Sequence, residues 1–348
     1  MGADVSVLSI QQLNVSYQQN HVIKDMELTI NPGEIVALFG PSGCGKTTIL
    51  KSVAGLLEQA NGYITIAGRP VLSGTKSVAT EKRKVGLIFQ DYALFPHLTV
   101  SENIAFGLTH LSKPQSAEKV SQMLALVKMS EYADSYPSQL SGGQQQRIAI
   151  VRALACEPDI LLFDEAFSNI DPQFRFELIA DIRDLLKHQH IAAMFVTHNQ
   201  DEAFAFCDKI AVMNAGKIEQ IDNAEGLFSK PQTRFVAEFL GQGLWQTATI
   251  KTSNQLSTEF GDIEYLGEQD LSSKLGQQVQ VYLRPHQLQL LANEHATLNV
   301  NHERFIGDGY ESSVELDQRL IQVKSYLPNL GRRVEVQVKG QIQKVFFN

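Results

Sequence analysis

The stretch Gly40-Pro41-Ser42-Gly43-Cys44-Gly45-Lys46-Thr47 constrains this chain more than any other, because it fits G-x-x-x-x-G-K-[ST] between an apolar run and a helix-like run. Ile35-Val36-Ala37-Leu38-Phe39 reads as a buried strand and Thr48-Ile49-Leu50-Lys51-Ser52-Val53-Ala54 as the start of a helix. In that context the glycines let the backbone curl so that successive N–H groups point at a phosphate, and the helix N-terminus adds its partial positive charge. Lys46 is placed to reach the β- and γ-phosphates and Thr47 to offer its hydroxyl to Mg²⁺. The expected ligand is a nucleoside triphosphate held by residues 40–48, Thr48 included.

The 348 residues allow two domains, each with its own core. No run approaches the roughly 18 apolar residues of a membrane span, so the chain is not by itself a channel. Met1-Gly2-Ala3-Asp4-Val5 has no basic region followed by an apolar core, and no secretory signal is expected. A net charge of −8, without a basic patch, argues against nucleic acid as a partner. The one dense positive run, Lys82-Arg83-Lys84, reads as a solvated turn. Cys44, Cys156 and Cys207 are odd in number and far apart, as expected of reduced thiols in the cytoplasm, and Cys44, inside the phosphate loop at a helix N-terminus that favours thiolate, is expected to react with thiol reagents unless ATP protects it.

Residues 5–31 alternate like antiparallel strands: Val5-Val7-Leu8-Ile10, Leu13-Val15-Tyr17, then Leu28-Ile30. Tyr17 precedes a polar turn, where its ring either joins the core or stacks on a base. Gly62–Ile66 and Val85–Phe89 are strand-like, the second ending at Gln90; 116–129 and 144–155 have helical spacing. Ile160–Phe163 runs into Asp164-Glu165, and Ala192–Thr197 into His198. In open α/β sheets ligand groups collect at the carboxyl ends of strands, so Gly40, Asp164 and His198 should converge on one nucleotide. Two short helices are expected near Gly241, and from Leu244 onward short alternating strands suggest a small barrel.

Leu140-Ser141-Gly142-Gly143-Gln144, shortly before Asp164-Glu165, decides the class. The order of phosphate loop, Gln90, LSGGQ, an apolar strand ending in Asp-Glu, and His198 resembles the ATP-binding-cassette ATPases, specifically the ATP-hydrolysing subunit of bacterial importers. The tail with Leu283-Arg284-Pro285-His286 is similar, more loosely, to the regulatory barrel of importer ATPases for oxyanions, polyamines, sugars and ferric iron. The fold implied is α/β: a P-loop NTPase core with an antiparallel β subdomain and a helical subdomain (about 91–157) over residues 1–241, followed by a small all-β barrel-like regulatory domain over 242–348.

Asp164 at a strand end suits Mg²⁺, and Glu165 beside it can polarise the attacking water. The resemblance makes Gln90 a contact to Mg²⁺ or that water, His198 the γ-phosphate sensor and Tyr17 the adenine-stacking aromatic. Ser141, Gly142, Gly143 and Gln144 open a helix and present donors to an anion. In the family this signature closes on ATP held by a second copy, and Asp171 resembles the loop residue crossing that interface. The expected partners are therefore a head-to-tail second copy, an integral membrane permease, and indirectly a substrate-binding protein. The expected place is the cytoplasmic face of the cell membrane. Tyr92–Leu98 is apolar enough either to dock a permease helix or to belong to subdomain core. Ala166 stands where most members have Pro, so a looser loop around Glu165 is expected.

For the cargo, Asp164-Glu165-Ala166-Phe167-Ser168-Asn169-Ile170-Asp171, with Phe-Ser-Asn where many sugar and polyamine importers show Leu-Ser-Ala, looks like the ferric-iron branch. Polyamine, sulfate, molybdate or phosphorylated sugar is the alternative. A soluble non-transport cassette ATPase is a remote one, since this chain has one cassette and no heptad insertion.

Overall fold

The computed structural model describes residues 6–316, 319–329 and 331–347. Val5, counted above in the first strand, lies outside them. Two compact units divide the chain, one up to Ala224 and the other from Glu225.

In the first unit, β1 (Leu8–Tyr17), β2 (Asn20–Ile30), β3 (Ile35–Phe39), α1 (Lys46–Ala54), β4 (Ala60–Ile66), β5 (Arg69–Gly74), β6 (Lys76–Ser77) and β7 (Val85–Ile88) come first. Then follow α2 (Val100–Ala105), α3 (Lys113–Leu126), α4 (Gly142–Ala155), β8 (Ile160–Asp164), α5 (Pro172–His188), β9 (Ala192–Thr197), α6 (Gln200–Phe206), β10 (Lys209–Asn214) and β11 (Lys217–Asp222). The main sheet runs β11-β10-β3-β9-β8-β7, and an antiparallel sheet runs β2-β1-β4-β5-β6. Every residue of β3 is buried, because a central parallel strand is covered on both faces; hence its unbroken apolar run. Parallel register pairs Phe39 with Thr197 and Asp164 with Val196. The next residues, Gly40, His198 and Glu165, are thereby delivered to one edge of the sheet. Behind that edge Phe163, Phe167, Phe195 and Phe206 are fully buried and pack mostly edge to face, each side chain contributing about 1.5–3 kcal/mol by burial. The helical subdomain has a separate core, including Val100, Ile104, Leu124, Ile148 and Val151.

Two expectations change here. The first two strand segments form one strand, β1, whose alternation breaks where Gln12 takes a positive φ of 49° and the pairing register shifts. Arg83 is not solvated but 1% exposed. Its Nη1 donates to the Ser52 and Val53 carbonyls at 2.8 and 2.9 Å, its Nε to Val78 O at 2.9 Å, and Nη2 to Ser77 Oγ. The cation thus closes the C-terminal end of α1, where the helix dipole favours positive charge.

The second unit carries α7 (Ala224–Ser229, from its second residue on) and α8 (Arg234–Phe239), then β12 (Leu244–Thr252), β13 (Gln255–Thr258), β14 (Gly261–Tyr265), β15 (Gln278–Leu283), β16 (Leu288–Ala292), β17 (Leu298–Phe305), β18 (Tyr310–Leu316), β19 (Arg319–Ser325), β20 (Arg333–Val338) and β21 (Gln341–Ile342). Two five-stranded sheets, β15-β12-β13-β14-β21 and β16-β20-β17-β18-β19, share one core. Alternation along β20, exposed and buried by turns, is what the sequence pattern requires. Among the described residues no helix is long and apolar enough to cross a membrane.

Candidate functional site

The phosphate loop is shaped by close approach. A side chain at Gly40 would run into the carbonyl oxygen of Met213, and one at Gly45 into Ile23. Gly45 is the N-cap of α1 with φ 107° and no side-chain cap, so the first N–H groups of the helix are left to a ligand. Lys46 is buried, and its Nζ donates to the carbonyls of Gly40 and Pro41 at 2.8 and 3.0 Å. Ser42, Gly43, Gly45, Lys46, Thr47, Thr48, Glu165 and His198 line one cavity of about 240 Å³, together with Val22. Pattern had no means of naming Val22, which comes from β2 of the other sheet.

Asp164 and Glu165 stand opposite the loop. The Thr47 hydroxyl faces Asp164 Oδ1 at 3.4 Å, and His198 Nδ1 lies 3.2 Å from Glu165 Oε1. Burial, then the Glu165 charge, raises the Asp164 pKa, an environment that favours a nearby cation. Hard oxygen donors from Thr47 and Asp164 fit Mg²⁺, which usually keeps several waters and takes only one or two protein ligands. The Glu165 backbone, at φ 50°, is held on both sides: its N–H donates to Val196 O at 2.9 Å, and its carbonyl accepts from Ser168 N at 3.2 Å and Ser168 Oγ at 2.9 Å. Ala166 is fully buried. The loop expected to be looser at Ala166 is bridged by these three bonds on the Glu165 backbone.

Behind His198, Thr197 Oγ1 donates to the buried Glu202 at 2.8 Å, and Glu202 pairs with Arg175 at 3.3 Å. Arg175 also donates to Ile170 O at 3.0 Å, beside Asp171. Residues 175 and 202 escaped the sequence reading; Glu202, three residues after the N-cap Asn199, looked like an ordinary first-turn acid.

The remaining named residues lie elsewhere. Ser141, Gly142, Gly143, Gln144, Asn169 and Asp171 line a second cavity of about 590 Å³ that shares no residue with the first. Ser141 caps α4: its hydroxyl accepts from Gln144 N and the Gln144 side chain accepts from Ser141 N. Asp171 caps α5 by accepting from Gln173 N at 2.9 Å. Gln90 is exposed, and its carbonyl accepts from Asn169 Nδ2 at 2.9 Å. Tyr17 ends β1 with its ring exposed, outside the set lining the loop cavity. Tyr92–Leu98 divides: Tyr92 is buried and Leu94 packs on the helical core, while Pro96 and His97 are exposed. Cys44 corrects a further expectation. A helix N-terminus should favour thiolate, but the side chain is buried and burial raises its pKa despite Lys46 nearby.

Residues 23–168 match the family described as ABC transporter. The sulfate/thiosulfate import ATP-binding protein CysA of Neisseria meningitidis is 43% identical over 298 residues, 83% of this chain and 80% of the relative. The chain belongs to the ATP-binding subunits of ABC transporters. The spermidine/putrescine import ATP-binding protein PotA of Aggregatibacter actinomycetemcomitans is 38% identical over 326 residues, 90% of this chain and 86% of that one. Among solved structures, CbiO1 of Clostridium perfringens, part of the ABC transporter complex CbiONQ, aligns with a TM-score of 0.60 at 27% identity, covering 65% of this chain and 91% of that one. A dimeric ATP-binding cassette in a post-hydrolysis state with ADP and Pi aligns at 0.54 and 27% identity, covering 62% and 98%. This ABC ATPase therefore binds and hydrolyses ATP as the ATPase subunit of an importer.

Proposed function

We propose that this ABC ATPase drives import of sulfate or thiosulfate, working at the cytoplasmic face of the membrane as a head-to-tail pair beneath a separate permease. The observation that carries the catalytic part is the 3.2 Å contact between His198 and Glu165 across the phosphate-loop cavity. Glu165, at a strand end and adjacent to the nucleotide cradle, serves as the base that orients and deprotonates the attacking water. His198 holds that carboxylate and senses the γ-phosphate, while Lys46 and the free N–H groups of α1 carry the phosphate charge. Thr47, Asp164 and Gln90 are the residues that would hold Mg²⁺, which neutralises charge on the β- and γ-phosphates. Tyr17 stacks on adenine.

The pairing of two copies is supported by the separate cavities: the signature at Ser141 and the loop at Lys46 share no lining residue, as expected where a triphosphate held by one chain meets the signature of another. The dimeric form of a structural neighbour agrees with this. In such a pair Asp171 faces the partner.

For cargo, relatives at 43–44% identity are named for sulfate/thiosulfate, and those at 37–38% include PotA for spermidine/putrescine. Polyamine import is the second reading on that ground. The ferric-iron reading rested on Phe167-Ser168-Asn169, and local packing accounts for these residues. Phe167 fills the buried aromatic cluster, Ser168 holds the Glu165 carbonyl, and Asn169 donates to Gln90. The test is uptake of labelled sulfate, putrescine and ferric iron by cells with and without the gene. Loss of sulfate uptake alone is expected; intact sulfate uptake with putrescine or iron uptake lost would contradict the assignment.

A further inference from the structure

The His198 side chain is 61% exposed, so packing does little to orient its ring. Its reach to Glu165 depends on the direction in which the backbone carries residue 198 off the end of β9. Thr197, the last residue of that strand, is 1% exposed. Its hydroxyl accepts from Asn199 N at 3.0 Å, closing a turn around His198, and donates to Glu202 Oε2 at 2.8 Å. A hydroxyl has one proton to give, so the carboxylate decides where it points and leaves the lone pairs to Asn199. Asn199 Oδ1 then accepts from Asp201 N at 2.9 Å and Glu202 N at 3.3 Å, capping α6. His198 is the single residue between a pinned strand end and a pinned helix start.

Glu202 is 2% exposed, on a helix whose Ala203 and Phe206 are fully buried. A buried carboxylate costs stability unless it is paired and hydrogen-bonded. Here it is both, since Oε2 takes the Thr197 hydroxyl and Oε1 faces Arg175 Nη1 at 3.3 Å. Arg175, on α5, is held in turn by Ile170 O at 3.0 Å, while its Nε is buried without a hydrogen-bond partner among the described residues. An arginine left partly unsatisfied to hold one carboxylate is a costly way to fill a core, so packing alone does not account for it. Burial raises the Glu202 pKa; Thr197, Arg175 and His198 lower it and Glu165 raises it, so the carboxylate lies in the field of both His198 and Glu165.

We propose that Glu202 and Thr197 are positioning residues for hydrolysis: the carboxylate orients the Thr197 hydroxyl, and the hydroxyl fixes the turn that sets His198 against Glu165. A catalytic group works only when held within about 0.5 Å of its productive place, which an exposed imidazole cannot secure for itself. The inference rests on the role given to His198 above. Steady-state ATP hydrolysis and ATP affinity of the full chain are measured in parallel. Thr197→Val keeps the shape and removes only the hydroxyl; kcat should fall about 10–100-fold with ATP affinity unchanged, and Thr197→Ser should recover most of the loss. Glu202→Gln, which gives up the charge that pairs with Arg175, is the second variant and should lower kcat in the same sense. In a His198→Ala background the Thr197→Val exchange should cost nothing further, because the residue it positions is gone. Wild-type turnover in Thr197→Val and Glu202→Gln, a Thr197→Ser variant as slow as Thr197→Val, or an equal loss in the His198→Ala background would overturn the proposal. Wild-type turnover in His198→Ala would instead remove the role of His198 itself, and this inference with it.

Discussion

Two glycine-rich helix starts in this chain look alike in sequence and differ in their hydrogen bonding. At α1 the N-cap is Gly45, which offers no side chain, so the terminal N–H groups depend on an external acceptor. At α4 the N-cap is Ser141, and a capping box with Gln144 takes up the N–H groups of Ser141 and Gln144 only, leaving those of Gly142 and Gly143 to another acceptor. The first is built around its ligand, with buried Lys46 beneath it; the second is partly closed by its own side chains and keeps fewer donors, on a cavity of its own. That difference fits a phosphate loop that grips its own nucleotide and a signature offered to another chain's nucleotide.

The largest expected effect breaks the first start. Lys46→Ala should weaken ATP binding by about a hundredfold or more in calorimetry, since it removes the buried cation from a phosphate cradle. Gly45→Ala comes next: at φ 107° and against Ile23, an added methyl costs roughly 1–3 kcal/mol of strain, so ATP affinity should fall by about tenfold or more while the fold persists in circular dichroism. Ser141→Ala sharpens the contrast. It should leave ATP affinity of the single chain unchanged and lower stability to denaturant by about 1 kcal/mol through loss of a cap. Smallest is Cys44, whose buried, protonated thiol should alkylate slowly with or without ATP; rapid modification relieved by ATP would show an open loop.

The strand ends were legible because a parallel sheet writes each strand as an apolar run and stops it at the residue that meets the ligand, as at Phe39, Phe163 and Thr197. Arg83 was not, since a charged triplet on paper gives no hint that its middle member turns inward onto the end of α1. Cys44 was misjudged for a related reason: position at a helix start is visible in sequence, whereas desolvation depends on β10 and β2 closing over the loop. The Glu202–Arg175 pair joins residues far apart in sequence, and its partners are fixed by α5 and α6 lying side by side. The tripeptide read as iron-like is accounted for by local packing, and its phenylalanine belongs to a core.

The central claim is that the phosphate loop with Glu165 forms the hydrolytic half of a site whose signature half comes from a second copy. Glu165→Gln keeps the shape of the side chain and removes the base. With ATP and Mg²⁺, gel filtration should find this variant as a stable dimer, and steady-state turnover should fall by about 10²–10⁴-fold. A variant that remains monomeric with ATP bound, or that hydrolyses ATP at the wild-type rate, would contradict the account.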